Sequence, residues 1–306
     1  MRLNRRDLIL GVAVRALAQQ PIFSTQVKVV TLLATVHDGD GAIVTNLNPE
    51  DFVVEEDGVP QTIRYFSRES DLPLTLGLLV DTSRSQVGVL EPERRASYRF
   101  LDQVLREDKD QAFIAHFDIE VEILQDLTPS RTRLATALDK LTIPRRASTL
   151  LYQAVRDCSE GQMKRQQGRK AFILLSDGVD VHSKATIVTA IEYAQRADTI
   201  IYSILFAKKS WLAYYPSTAP IMAAYSARGK HAMQRLARET GGTYYEVSKR
   251  NSIERIYASI EEQLRNQYSI GYTPERKDAG GRYCQIRLTT RRPGLIVQTR
   301  AGYYAE

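Results

Sequence analysis

Two apolar runs constrain this chain more than any other feature: Leu76-Gly77-Leu78-Leu79-Val80 and Phe172-Ile173-Leu174-Leu175. Strands with no polar face are buried on both sides, as in a mainly parallel sheet covered by helices above and below. The surrounding pattern agrees. Between about Leu74 and Leu264, strand candidates at 74–80, 111–117, 121–125, 171–175, 199–206 and 243–247 alternate with amphipathic segments. Those segments, at 90–105, 131–141, 150–163, 184–197, 230–239 and 253–266, read as helices. The expected fold class is α/β, with a doubly wound, mainly parallel sheet flanked by helices over residues 71–266.

The two ends read differently. Residues 28–35 are β-branched and apolar and run into Asp38-Gly39-Asp40-Gly41, a turn signal. Phe52-Val53-Val54-Glu55-Glu56 closes on Asp57-Gly58, and 61–66 alternates at period two. Segments 267–272, 283–289 and 295–300 repeat this style. Neither end has enough strands to be stable alone, and the termini of a domain often lie close together. Segments 27–70 and 267–306 are therefore expected to pack into one small β-sandwich-like module from which the α/β domain protrudes.

A chain of 306 residues is long enough for two such modules, and 43% hydrophobic with 25% charged residues is ordinary for a folded, soluble protein. Of the +6 formal charge, Arg2, Arg5, Arg6 and Arg15 against Asp7 place +3 in the first eighteen residues. Elsewhere basic and acidic residues interleave without a lysine or arginine stripe, which argues against nucleic acid as a partner despite a pI near 9.2. Residues 1–18, MRLNRRDLILGVAVRALA, put a basic stretch before an apolar run that ends in Ala16-Leu17-Ala18. This reads as an export signal, with a twin-arginine flavour in Asn4-Arg5-Arg6-Asp7. The expected location is periplasmic, extracellular or envelope-associated. No later run of about 18 apolar residues occurs, so no transmembrane span is expected. Cys158 and Cys284 lie far apart in sequence and in different modules, and read as a free, buried pair.

In open α/β sheets ligands sit outside the carboxyl ends of the strands. Two of the buried strands end in aspartate, giving Asp81-Thr82-Ser83-Arg84-Ser85 and Ser176-Asp177-Gly178. Ser83 and Ser85, two apart on a turn, can face one point beside the Asp81 carboxylate. Two hydroxyls and two carboxylates form a hard-oxygen set suited to magnesium, whereas His37, His116, His182, His231 and the cysteines show no zinc spacing. Asp81, Ser83 and Ser85 would serve equally to cap a helix that begins nearby.

These motifs, with the threonine of Ser148-Thr149-Leu150-Leu151-Tyr152, resemble the metal-ion-dependent adhesion site of a von Willebrand factor A-type (VWA) domain. The flanks resemble, more narrowly, the VWFA-related family of bacterial exported proteins. The matching pieces are Asp51-Phe52 with Glu56-Asp57-Gly58, then Tyr268-Ser269-Ile270-Gly271-Tyr272 and Arg292-Pro293-Gly294, and the likeness covers most of residues 27–304. It implies that Ser83, Ser85 and Thr149 offer oxygens to Mg2+, or Mn2+ in its place, while Asp81 and Asp177 bind it directly or through water. Neutral hydroxyl ligands leave such an ion under-neutralised, so it would attract a carboxylate from a protein partner presenting Asp or Glu. The stretch 208–228 departs from the family pattern, being longer and more aromatic. Its Trp211, Tyr214, Tyr215 and Tyr225 read either as partner contacts or as packing against their own domain. Asp180 reads as an outer member of the site or as an exposed turn residue. The competing function is a divalent-metal-dependent hydrolase using Asp81 and Asp177. It has less support, because no phosphate-binding loop or nucleophile elbow occurs and no histidine is placed by sequence beside Ser83.

Overall fold

The computed structural model describes residues 29–69, 72–144, 148–206, 219–275 and 280–305. Strands β1 (Val30–His37), β2 (Phe52–Glu56), β3 (Val59–Gln61) and β4 (Ile63–Glu69) lead into β5 (Leu74–Asp81). There follow α1 (Leu90–Val104), β6 (Gln111–Phe117), β7 (Val121–Thr128), α2 (Arg131–Asp139), α3 (Leu151–Cys158) and β8 (Arg169–Ser176). The second half holds α4 (Ile187–Arg196), β9 (Ile200–Leu205), α5 (Ala219–Thr240), β10 (Tyr244–Glu246) and α6 (Ile253–Arg265). The chain closes with β11 (Gln267–Tyr272), β12 (Tyr283–Thr290), β13 (Ile296–Gln298) and β14 (Gly302–Tyr304).

Strands β5 to β10 form one six-stranded sheet in the order β10-β9-β8-β5-β6-β7, parallel except where β7 runs antiparallel to β6. All eight residues of β5 and of β8 are buried, as strands covered on both faces must be. Alternation then sorts their side chains. Leu74, Leu76, Leu78 and Val80 pack with α1, α2 and α6, while Leu79 packs with α3, α4 and α5. Gly77 faces the second layer, where an added Cβ would lie 2.6 Å from Phe113 and 2.7 Å from Phe172. After β5 the chain moves to β6 on one side and later crosses to β8 on the other, so the crevice between β5 and β8 opens at their carboxyl ends.

The terminal segments make two further sheets, β13-β1-β11-β4 and β14-β12-β2-β3, each drawing strands from both ends of the chain. A third core, with Leu32, Val54, Tyr268, Ile270 and Leu288, lies between them. Its buried Glu56 accepts hydrogen bonds from the Tyr272 (2.7 Å) and Tyr303 (3.0 Å) hydroxyls. Cys158 lies in the α3 layer and Cys284 in this third core, both free and buried.

Several boundaries differ from expectation. The single strand expected over 61–66 is two strands: β3 pairs with β2, and β4 pairs with β11 in the facing sheet, so the chain turns a corner at residue 62. The helix expected from residue 184 begins at Ile187, because the Thr186 hydroxyl caps it by accepting from the Thr189 N–H. The segment expected to be helical over 150–163 stops being an α-helix at Cys158 and continues as one π-turn, where the Ser159 hydroxyl donates to the Val155 carbonyl at 2.6 Å. Helix α5 begins at Ala219, not near 230, so Tyr225 is an exposed helical residue rather than part of a loop. The export segment 1–18 and the aromatic residues Trp211, Tyr214 and Tyr215 lie outside the described residues. Among those described, no helix is long and apolar enough to cross a membrane.

Candidate metal centre

Asp81 ends β5 fully buried, and its two oxygens are held separately. Oδ1 accepts the Ser83 backbone N–H at 2.8 Å, an Asx turn that bends the chain at the end of the strand. Oδ2 accepts the Ser176 hydroxyl at 2.6 Å, a bond across the crevice between β5 and β8. The Ser83 and Ser85 hydroxyls are 2.9 Å apart, Gln86 Nε2 donates to Ser85 Oγ at 3.2 Å, and Ser85 lies near enough to Asp177 to act on its carboxyl. Ser83 stands at the start of a short 3-10 turn but makes no side-chain cap there. The hydroxyls are thus turned to one another and to the carboxylates, not spent on capping.

Asp177 follows the last residue of β8, half-buried, with Oδ1 accepting the Val179 N–H at 3.0 Å. The turn depends on Gly178, whose φ of +78° suits glycine and whose missing side chain lets the backbone meet Gly229 of α5; a Cβ there would run into the Gly229 carbonyl. Thr149 is held by the backbone. It pairs with Val181 (N to O 3.3 Å, O from N 2.8 Å), and the next residue, Leu150, donates its N–H to the Asp118 carbonyl at 3.1 Å. Asp180 is neither a free turn residue nor a member of the cluster. Its Oδ1 accepts the Tyr152 N–H at 3.0 Å and the Ser183 hydroxyl at 2.5 Å, fixing the start of α3. The His182 ring meets Ser148 Oγ at 3.3 Å.

The electrostatics are those of an under-compensated acidic site. Burial, and after it the charge of Asp177, pushes the Asp81 carboxyl up to about 7, against the opposing hydrogen bonds from Ser176 and Ser83. Burial also raises Asp177, with the Val179 N–H and the Ser85 hydroxyl opposing.

Sequence reasoning missed Glu93, which is 1% exposed on the inner face of α1. Neither of its carboxylate oxygens has a hydrogen-bond partner among the described residues, and Gln86 Oε1 is in the same condition. Burial, with the Asp81 charge second, raises Glu93 well above the usual carboxylate range. The signal was available in the helical period, since Glu93 shares its face with Ala96, Ser97, Phe100 and Val104. A histidine also approaches more closely than the sequence suggested. The pairing of β5 with β6 sets His116 opposite Val80, and its Nδ1 lies 2.9 Å from Thr82 Oγ1, which donates to Asp118 Oδ2 at 2.7 Å. The other ring nitrogen lies 3.2 Å from Glu122. His116 thus serves Thr82, and among the described residues no histidine bonds Ser83.

The residues present fit a divalent cation. Every donor is oxygen, the buried carboxylates lack compensating cations among the described residues, and orphaned oxygens of Glu93 and Gln86 lie in the same region.

No protein-family profile matches the chain, and no curated protein matches it. Solved structures do. Proximal thread matrix protein 1 from the mussel byssus superposes with a TM-score of 0.52 at 13% identity, over 74% of this chain and 51% of that one. A second structure of it, described as having a zinc-occupied MIDAS motif, gives 0.51 at 14% identity over 70% and 50%. The vWF domain of the type V pili tip protein Mfa5 from Porphyromonas gingivalis gives 0.49 at 12% identity over 63% and 95%. This chain spans about half the length of the mussel protein. At such identities the likeness is one of fold, and the fold is VWA-like.

Proposed function

We propose that this protein is a divalent-cation-dependent protein-binding module. One observation carries the proposal: two carboxylates from neighbouring strand ends, Asp81 and Asp177, face each other through the Ser83 and Ser85 hydroxyls without a cationic side chain among the described residues to neutralise them. Asp81, Ser83, Ser85, Thr149 and Asp177 would hold Mg2+ or Mn2+. When bound, the cation supplies a Lewis-acidic coordination position for an outside oxygen. The chain's own part is to aim the donors. Ser176 and the Ser83 N–H fix the Asp81 carboxylate, Gln86 orients Ser85, and the pairing of Thr149 with Val181 holds the third hydroxyl. Ser85 is exposed and Asp177 half-buried, whereas Asp81 and Ser83 are buried, so the outer position faces solvent and a partner's Asp or Glu can reach it.

The mussel protein's zinc-occupied motif supports a divalent ion in a related fold, and its place in the byssus thread matrix supports an interaction role. The basic and apolar residues 1–18 support work outside the cytoplasm. Calorimetry with MgCl2, MnCl2 and ZnCl2 should give a saturable response that Asp81→Ala abolishes. A pull-down from the native envelope fraction should retain a protein with Mg2+ and lose it with chelator or with Thr149→Ala. Equal cation responses in wild type and Asp81→Ala would remove the site. Cation-dependent hydrolysis of phosphoesters or peptides by the purified protein would replace this reading with an enzymatic one.

A further inference from the structure

At the opposite end of the central sheet, a cavity of about 490 Å³ lies between the α/β layers and the sandwich. Arg169, Lys170, Arg196 and Thr240 line it on one side, with Arg300 and Tyr303 on the other. Lys170 is the second residue of β8 and Asp177 follows the last, so at about 3.3 Å per residue the cavity is about 23 Å from the candidate metal centre. We infer that this cavity binds a small oxyanion, a phosphate or carboxylate group, with the Lys170 ammonium as its recognising charge.

The inference starts from a cation whose ammonium has no direct partner among the described residues. Lys170 is 7% exposed and lines the cavity, yet among the described residues its ammonium makes no hydrogen bond and no ion pair. Burying an unpaired ammonium is strongly unfavourable, and folds normally supply a carboxylate or carbonyls for it. Among the described residues the one acidic side chain on the cavity wall, Asp198, is engaged by Arg300, whose Nη1 approaches its Oδ1 at 2.5 Å while Nη2 donates to the Thr31 carbonyl at 3.0 Å. The described wall therefore carries four basic side chains and one acid. Burial holds the Lys170 pKa below the usual lysine range, with Asp198 opposing and Arg300 adding to the effect, and an incoming anion would reverse that shift. The volume exceeds what an inorganic ion fills and lies in the range of small-molecule sites, so an organic body beside the Tyr303 ring can accompany the anionic group. Because both modules line the cavity, the ligand would clamp them together.

The test uses the full-length chain with EDTA throughout, which silences the cation site and keeps the two proposals separable. Sodium phosphate and sodium succinate are titrated separately at constant ionic strength, followed by calorimetry and thermal melting. Saturable binding and a raised melting temperature are expected for at least one of them. Lys170→Met and Lys170→Gln should weaken that binding at least tenfold, and Lys184→Met, at an exposed position, should leave it unchanged. A phosphate-only response assigns a phosphoryl ligand and a succinate-only response a carboxylate; both support the site. Because Lys170→Met removes an unpaired buried charge, the ligand-free variant should fold and melt no lower than wild type. A variant that unfolds or melts lower would show that Lys170 already has an internal partner, and would overturn the inference. So would equal anion binding by wild type and both variants, no response to either anion, or the same response to sodium chloride.

Discussion

Asp81 and Asp110 are buried aspartates at opposite ends of the same sheet, and their surroundings could hardly differ more. Asp110, just before β6, accepts the Leu74 N–H at 2.9 Å and both the Arg106 N–H and Nε at 2.9 Å, with a further bond from Arg106 Nη2. Burial is the largest single influence and would raise its pKa, but the Arg106 and Leu74 hydrogen bonds and the Arg106 charge together outweigh it and hold the carboxyl below the ordinary range. Asp81 has only hydroxyls and one N–H, faces a second carboxylate, and is raised. A fold that needs a buried carboxylate for its own architecture surrounds it with donors. Where the same fold leaves one under-compensated, as at Asp81, the proposed cation would supply the missing charge from outside.

The largest expected effect is a pH dependence of stability that the cation cancels. An acid whose pKa is raised on folding keeps a proton that the unfolded chain has already lost, so the native state binds more protons and stability falls as pH rises. For Asp81 the window runs from about 4 to about 7, and the shift corresponds to about 4 kcal/mol. Urea midpoints in EDTA should decline across that window, and saturating MgCl2 should flatten the decline. An equally steep decline with and without the ion would break the comparison.

Next in size are the two isosteric replacements. Asp110→Asn removes the negative partner of Arg106 and puts an amide NH2 where donors already converge, and should destabilise the protein by about 3 kcal/mol at pH 7. Asp81→Asn removes a repelled charge and should leave the cation-free protein at least as stable as wild type. Chemical denaturation of the pair in chelator decides; a loss of similar size from both would mean that Asp81 is as fully compensated as Asp110.

The smallest effect belongs to Ser85→Ala. Its hydroxyl links Ser83 to Asp177 at the exposed edge, so its loss should weaken Mg2+ binding about tenfold, or about 1.4 kcal/mol, while the melting temperature in EDTA moves little. Calorimetry that finds unchanged affinity would take Ser85 out of the donor set.

Much of the fold was legible because burial on both faces leaves an unmistakable pattern. The runs in β5 and β8 fixed the sheet type, and helical periodicity located α1, α2 and α6 to within two residues. The start of α5 was not legible, since residues 219–228 include Ile221 and Tyr225 exposed on a helix and show no apolar stripe toward a core. Strand β14, only three residues long, gave no period to read. In the candidate centre, Asp81, Ser83, Ser85 and Asp177 could be found because each stands at or just beyond a strand end. Glu93 was passed over, because a glutamate on a helix is ordinarily a solvated residue, although its helical position puts it on the inner face.

Local chemistry along the chain determined which segments are strands, which turns carry hydroxyls and carboxylates, and that the middle and the ends belong to different kinds of sheet. What it could not determine was who meets whom. The order β8-β5-β6 sets Asp81 beside Ser176 and His116 beside Thr82, and the fold of α1 against the sheet buries Glu93 near Asp81. The closing of the two ends over the base of the sheet leaves Lys170 facing a cavity with no hydrogen-bonded or ion-paired counter-charge among the described residues. These are properties of pairs distant in sequence. Charge compensation depends on separation in space and on exclusion of water, and neither exists until the chain has folded.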